Sequence, residues 1–279
     1  MRIIETSKIV EEVEKLCINS NYYLGEDIIF KYKEGITKEE SETGKEIFEQ
    51  LYENAKIAKD FKKPICQDTG MAVVFVELGE EVHINGNLET AINEGVAKGY
   101  KKGYLRKSIV KDPLFRENTN DNTPAVIHIS IVKGDKLKIV VAPKGFGSEN
   151  MSQIKMFPPA AGVEGIKEFV LKVVEEAGPN PCPPIIVGVG IGGNFEHSAL
   201  LAKKALLRNI GDRNKNSYYS ELEIELLEKI NRLGIGPQGF GGKITALDLF
   251  IETYPTHIAG MPVAVNIGCH VNRHKEVLI

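Results

Sequence analysis

Apolar side chains at positions 9, 10, 13, 16 and 17 fall on one face of a 3.6-residue repeat and predict an amphipathic helix over residues 7–19. Cys17 closes that stripe, so the pattern places it in the core. A second, short helix is predicted over 26–33 and a long charged one over 38–62. The latter has Thr37 as N-cap with Glu40 three residues on, the spacing of a capping box. Gly44 weakens it by about 1 kcal/mol relative to alanine and marks where it can break. The charges from Glu39 to Glu49 read as a solvated face. Residues 71–78 are a nearly unbroken apolar run and predict a buried strand. A turn over 82–86 and a helix over 88–101 follow.

Further on, residues 125–132 and 137–142, joined by Gly134-Asp135, predict a β-hairpin. His128 faces away from Ile127 and Ile129 and reads as an ordinary strand histidine. Residues 144–150 form a glycine-rich loop, and a helix is predicted over 165–176. The proline-rich stretch 178–184 is incompatible with helix and leads into an apolar strand from 185. Helices over 196–208 and 221–232 precede strands over 244–253 and 261–267, the last ending at Gly268-Cys269-His270. There is no internal repeat, low-complexity segment or linker. The expectation is one α/β domain over residues 1–279, a mixed α+β unit of mixed sheets flanked by helices.

Composition narrows the functional classes. Formal net charge is -3, from 35 basic and 38 acidic residues that are well mixed. That gives no field favouring nucleic acid or an anionic membrane surface. No apolar run approaches the ~18 residues needed to span a bilayer. The N-terminus turns polar too early for a signal peptide, so a cytoplasmic protein is expected. The four cysteines, at 17, 66, 182 and 269, are too few and dispersed for a disulfide-stapled domain.

Candidate chemistry centres on Pro64-Ile65-Cys66-Gln67-Asp68-Thr69-Gly70, where a thiol, an amide, a carboxylate and a hydroxyl sit side by side between a helix and a strand. Taken alone, the stretch is equally a surface turn with a buried cysteine. Cys66, Cys182 and Cys269 share a setting, however: each lies at an element boundary stiffened by proline or glycine. Three thiolates could hold a structural zinc with one further ligand, or cap three irons of a [4Fe–4S] cluster and leave the fourth open. Gly188, Gly190, Gly192 and Gly193 match a dinucleotide fingerprint in the right strand-to-helix context. The acidic strand end expected about 20 residues later is absent, the region being the polar 209–216 stretch. The fold is therefore not expected to be Rossmann-like. The glycines at 234, 236 and 239 repeat the pattern after a helix, where chance suffices.

Cys66-Gln67-Asp68-Thr69-Gly70, Lys144-Gly145-Phe146-Gly147-Ser148-Glu149-Asn150, Gly192-Gly193-Asn194-Phe195-Glu196 and Asn266-Ile267-Gly268-Cys269-His270 together resemble the α-subunit of the class I, iron–sulfur fumarate hydratase and L-tartrate dehydratase family. The likeness runs from about residue 5 to 275. It implies a [4Fe–4S] cluster on Cys66, Cys182 and Cys269. It also implies a dicarboxylate held by Gln67, Asp68, Arg106 and Gly147, and an active-site histidine at His257. An arginine fork suits a carboxylate, although Arg106 on its own reads as a solvated basic helix end. The resemblance implies a hydro-lyase interconverting fumarate and malate, with tartrate dehydration as the close alternative. In such relatives a threonine on another domain is the proposed base, supported by the aspartate. This chain stops ten residues after Cys269, so a separate β-subunit completing the site is expected, in an α2β2 assembly. Two other classes stay open: a nicotinamide-binding protein and a non-catalytic zinc-stabilised scaffold.

Overall fold

The computed structural model describes residues 2–279. In chain order its elements begin with β1 (Arg2–Glu5), α1 (Thr6–Tyr22), α2 (Glu26–Lys38), α3 (Glu42–Phe61), β2 (Met71–Gly79) and β3 (Val82–Asn85). Next come α4 (Leu88–Lys102), β4 (Val126–Val132), β5 (Leu137–Lys144), α5 (Phe146–Glu149), β6 (Gln153–Phe157) and α6 (Gly162–Ala177). The remainder are β7 (Ile185–Gly193), α7 (Phe195–Ala205), α8 (Ser217–Asn231), β8 (Ala246–Thr256), β9 (Met261–Gly268) and β10 (Lys275–Leu278). The fold is the expected mixed α/β class, with sheets flanked by helices. No helix among the described residues is long and apolar enough to cross a membrane. The chain divides into two compact units, one of residues 2–25, 54–146 and 273–279, the other of 26–53 and 147–272.

The first unit carries a four-stranded sheet in the order β10-β5-β2-β4. Strand β2 pairs antiparallel with β5, Met71 opposite Lys144, and parallel with β4, Val73 opposite Val126. The two strands expected as a hairpin are therefore both present, but β2 lies between them. Its residues Ala72 to Val76 are all buried, and a strand that apolar is stable only when paired on both edges. Residues 82–85, expected to turn, are instead a strand because β1 lies parallel to them. Helix α1 buries Ile9, Val13, Leu16 and Cys17 with Ile92, Val96 and Tyr100 of α4 in one apolar cluster. Gly95 and Gly99 permit that contact. A methyl group at Gly95 would stand 2.7 Å from Val13 Cβ, and one at Gly99 2.8 Å from Cys17 Cβ.

In the second unit the order is β6-β9-β7-β8, with β7 parallel to β8 and antiparallel to β9. Val187 and Val189 join Val170, Val173 and Val174 of α6 and Leu226 and Ile230 of α8 in the core. Side chains alternate along a strand, so Gly188 and Gly190 point to the other face. There a Cβ would meet Ala202 O at 2.2 Å and Ser198 O at 2.1 Å. Those glycines let α7 lie directly on the strand, which accounts for the fingerprint-like spacing without a nucleotide.

The start of α3 also differs from expectation. Helix α2 runs on to Lys38, and Ser41 is the cap: its Oγ accepts from Gly44 N–H at 3.2 Å. The Thr37 hydroxyl instead donates back to Glu34 O at 2.9 Å. Nor is Glu39 part of a solvated face. It is 2% exposed, and its carboxylate accepts backbone N–H bonds from Glu40, Ser41, Lys243 and Ile244.

Candidate active site

The segment 66–70 is held from every side. Ile65 N–H donates to Asn21 O, and Asn54 Nδ2 to Ile65 O, each at 2.9 Å. Tyr100 donates its hydroxyl toward Thr69 O (2.7 Å) and Gly70 O (3.0 Å), and Asn122 Nδ2 donates to Gly70 O at 3.1 Å. Burial pushes the Tyr100 phenol well above its ordinary range, so it stays a donor. Beneath the loop Arg273, 5% exposed, donates from its guanidinium to Asp68 O.

That scaffolding fixes the Asp68 carboxylate. One oxygen accepts Gly70 N–H at 3.0 Å and the other Phe146 N–H at 2.9 Å. Gly70, at φ +77°, backs onto Lys144, where a Cβ would sit 2.7 Å from the backbone nitrogen. A Cβ on Gly145 would lie 3.1 Å from the Asp68 carboxylate. The first motif and residues 144–146 of the second thus form a single structure in this unit. Around it Cys66 is half-buried and Gln67 and Arg106 are exposed. Thr69 Oγ1 donates to Arg106 O at 3.1 Å, tying the arginine's backbone to the same loop.

The other unit brings Cys182 and Cys269 to one end of its sheet, since Ile186 of β7 pairs with Gly268 of β9. Cys182 is exposed and holds a left-handed φ of +56°. Non-glycine residues keep that conformation only where surroundings over-determine it, and it concentrates at functional sites. Its carbonyl accepts His270 N–H at 3.3 Å and lies 3.0 Å from His270 Nδ1. Buried Tyr32 donates its hydroxyl to His270 O at 2.8 Å. Gly147 belongs to this end too, a Cβ there falling 3.7 Å from Asn180 O.

His257 is placed elsewhere. It sits between β8 and β9, at the end of the sheet where Ile191 pairs with Val263. The length of β9, roughly 25 Å at strand rise, separates it from the Cys269 end. Its Nδ1 accepts Ala259 N–H at 3.2 Å and its carbonyl accepts Gly260 N–H at 3.0 Å, so it closes a turn.

The cysteines sort by environment. Burial pushes the Cys17 thiol up to about 12, so it stays protonated and inert. Cys66, Cys182 and Cys269 are at least partly accessible, on loops. Among the described residues no three His, Cys, Asp or Glu side chains converge as ligands of a single metal ion. Thiolates on three different irons of a cube stand farther apart than ligands of one ion. Accessible thiols on loops are the donor type such a cluster takes.

The profile of the fumarate hydratase (fumerase) family matches residues 10–278. The chain belongs to this family. A Methanocaldococcus jannaschii protein, provisionally named L(+)-tartrate dehydratase subunit alpha, is 44% identical over 273 residues, 95% of each chain. The L(+)-tartrate dehydratase subunit alpha of Escherichia coli K12 is 34% identical over 278 residues, 98% of this chain and 91% of that one. The family is that of class I hydro-lyases, and the fumarate hydratase resemblance extends over the whole fold.

Sequence reasoning passed over Arg273, Tyr100, Asn122 and Gln238, and it read His270 only as part of a motif. Each works through contacts between segments far apart in the chain, so no spacing pattern announces it. Gln238 left one trace, a polar residue inside a glycine run.

Proposed function

We propose that the chain is the α-subunit of a two-subunit [4Fe–4S] hydro-lyase that adds water reversibly to fumarate to give (S)-malate. The observation that carries the reading is the Asp68 carboxylate, fixed by two backbone N–H groups beside a thiol and an exposed amide. In this reading Cys66, Cys182 and Cys269 hold the cluster. When bound, the cluster supplies an open Lewis-acid position for a substrate carboxylate and hydroxyl. Gln67 and Asp68 orient the diacid, Arg106 grips one carboxylate with its planar fork, and the Gly147 backbone lets substrate approach closely. Dehydration also removes a proton from the carbon beside the second carboxylate, which requires a positioned base. Asp68 already accepts two hydrogen bonds, so it orients and supports a base that a β-subunit contributes in an α2β2 assembly. The resemblance also gives His257 an active-site role, and it stays part of the proposal although its turn lies at the other end of β9 from Cys269.

A second reading, dehydration of L-tartrate to oxaloacetate by the same residues, is favoured by the names of the relatives. The two substrates differ by one hydroxyl. Iron and acid-labile sulfide measured on anaerobically reconstituted protein test the shared proposal. The expected result is a brown protein absorbing near ~400 nm, bleached by Cys66→Ser. A colourless, iron-free protein refutes it. Parallel assays with fumarate and L-tartrate, in the presence of the partner subunit, decide between substrates.

A further inference from the structure

We infer that residues 236–242 form a clasp that sets the backbones of Cys182 and Cys269 relative to each other, with Gln238 as its positioning residue. The inference rests on the reading of these cysteines as cluster ligands. Gln238 donates twice to a single acceptor: its backbone N–H and its side-chain Nε2 both reach Pro183 O at 2.7 Å. Nε2 also lies 3.3 Å from His270 Nδ1. Pro183 follows Cys182, and His270 follows Cys269. One amide therefore touches the residue after each cysteine. His270 in turn donates its backbone N–H to Cys182 O, which closes a ring around both cysteines; its Nδ1, 3.0 Å from that carbonyl, accepts from Gln238 in one tautomer and donates to Cys182 O in the other.

The loop is built to hold that amide in place. Gln238 has φ +52°, a sparsely populated conformation for a residue with a side chain. Gly239, at φ +80°, presses on the proline-rich segment, a Cβ there falling 2.3 Å from Pro179 Cβ. Gly236 folds the loop onto Gly241, and its N–H donates to Thr245 Oγ1 at 3.1 Å. The far end is anchored at Glu39, which accepts from Lys243 and Ile244 N–H. Nothing else in the loop requires a glutamine: a glycine at 238 would adopt the same backbone. The side-chain amide is thus explained by what it does at Pro183 and His270.

The test uses Gln238→Gly, which keeps the left-handed backbone and removes only the amide, with Gln238→Ala as a second variant. Hydrogen exchange on the cluster-free full chain should accelerate about tenfold at the Asn180 and Cys182 amides of a peptide covering 179–184 and in a peptide covering 269–272, with the strands β7 and β9 unchanged. On reconstituted protein, the visible absorbance of the cluster should decay several-fold faster under anaerobic chelator, while the melting temperature of the cluster-free form stays within a few degrees of wild type. Unchanged exchange in both peptides overturns the clasp. So does a wild-type cluster that Gln238→Gly retains equally long. If the wild type itself takes up no iron, the cluster reading fails, and exchange alone decides whether the clasp exists.

Discussion

Replacing Glu39 should cost more stability than any other single change at a charged residue of α2 or the α2–α3 connection. Its Oε1 accepts N–H bonds from Glu40, Ser41 and Lys243 at 2.8, 3.1 and 2.7 Å, and Oε2 accepts from Ile244 at 2.8 Å. Glu39→Ala strands four donors, of which the two from the 243–244 segment have no nearby turn to re-form. At about 1–3 kcal/mol per donor left unmade, those two alone set a loss of about 2–6 kcal/mol. Glu39→Gln keeps the volume and lets an amide oxygen serve three donors, but its NH2 then faces Ile244 N–H. A loss of about 1–2 kcal/mol is expected. Acid should narrow the gap between wild type and Glu39→Gln. Burial pushes the Glu39 carboxyl up, but the N–H groups of Lys243, Ile244, Ser41 and Glu40 together outweigh it, and the net direction is down from 4.5. The carboxylate's contribution is thus complete above pH 4.5 and is lost as pH falls through the lower, folded-state value. Urea unfolding of wild type and Glu39→Gln between pH 7 and pH 3 measures this. A gap that is absent at pH 7, or that does not shrink in acid, refutes the account.

Three further outcomes are expected. In native protein, iodoacetamide at pH 8 should label Cys182 and spare Cys17; above pH 9 the unfolded chain ionises Cys17 while the folded form holds its proton to about 12, so stability falls with rising pH across that window, and a Cys17→Ala control should flatten this part of the profile. Gly190→Ala drives a Cβ to 2.1 Å from Ser198 O, which α7 can relieve only by lifting off β7. The loss should be about 3 kcal/mol, and thermal melting unchanged to within a degree would contradict the packing. Asp68→Asn should lower kcat about 10²–10³-fold with the cluster's spectrum intact, because one loop bond survives on the amide oxygen; full activity in that variant would remove Asp68 from the reaction.

What the sequence made legible was whatever depends on local period and composition. The α1 stripe, the β2 run and the break of chain at 178–184 were all readable because their side chains report their own burial. Pairing was not. Strands β4 and β5 look like a hairpin from their spacing, and only the need of β2 for two neighbours separates them. Glu39 looked like one charge among many until the 243–244 segment, two hundred residues away, supplied the donors that bury it. The three loop cysteines stood out as candidates because thiols are rare and these sat at element boundaries. Arg273 and Gln238 did not, because a common residue in a loop carries no mark of its distant partner.

The seven residues 273–279 belong with the first unit, although the whole second stretch 147–272 is synthesised before them. They supply β10, which pairs with β5, and Arg273, which sits under Asp68. An emerging polypeptide can therefore lay down α1, α4 and β2 early, yet its aspartate loop lacks its guanidinium support until Cys182 and Cys269 already exist. Birth order alone keeps a half-made molecule from presenting a supported aspartate loop before Cys182 and Cys269 have been translated.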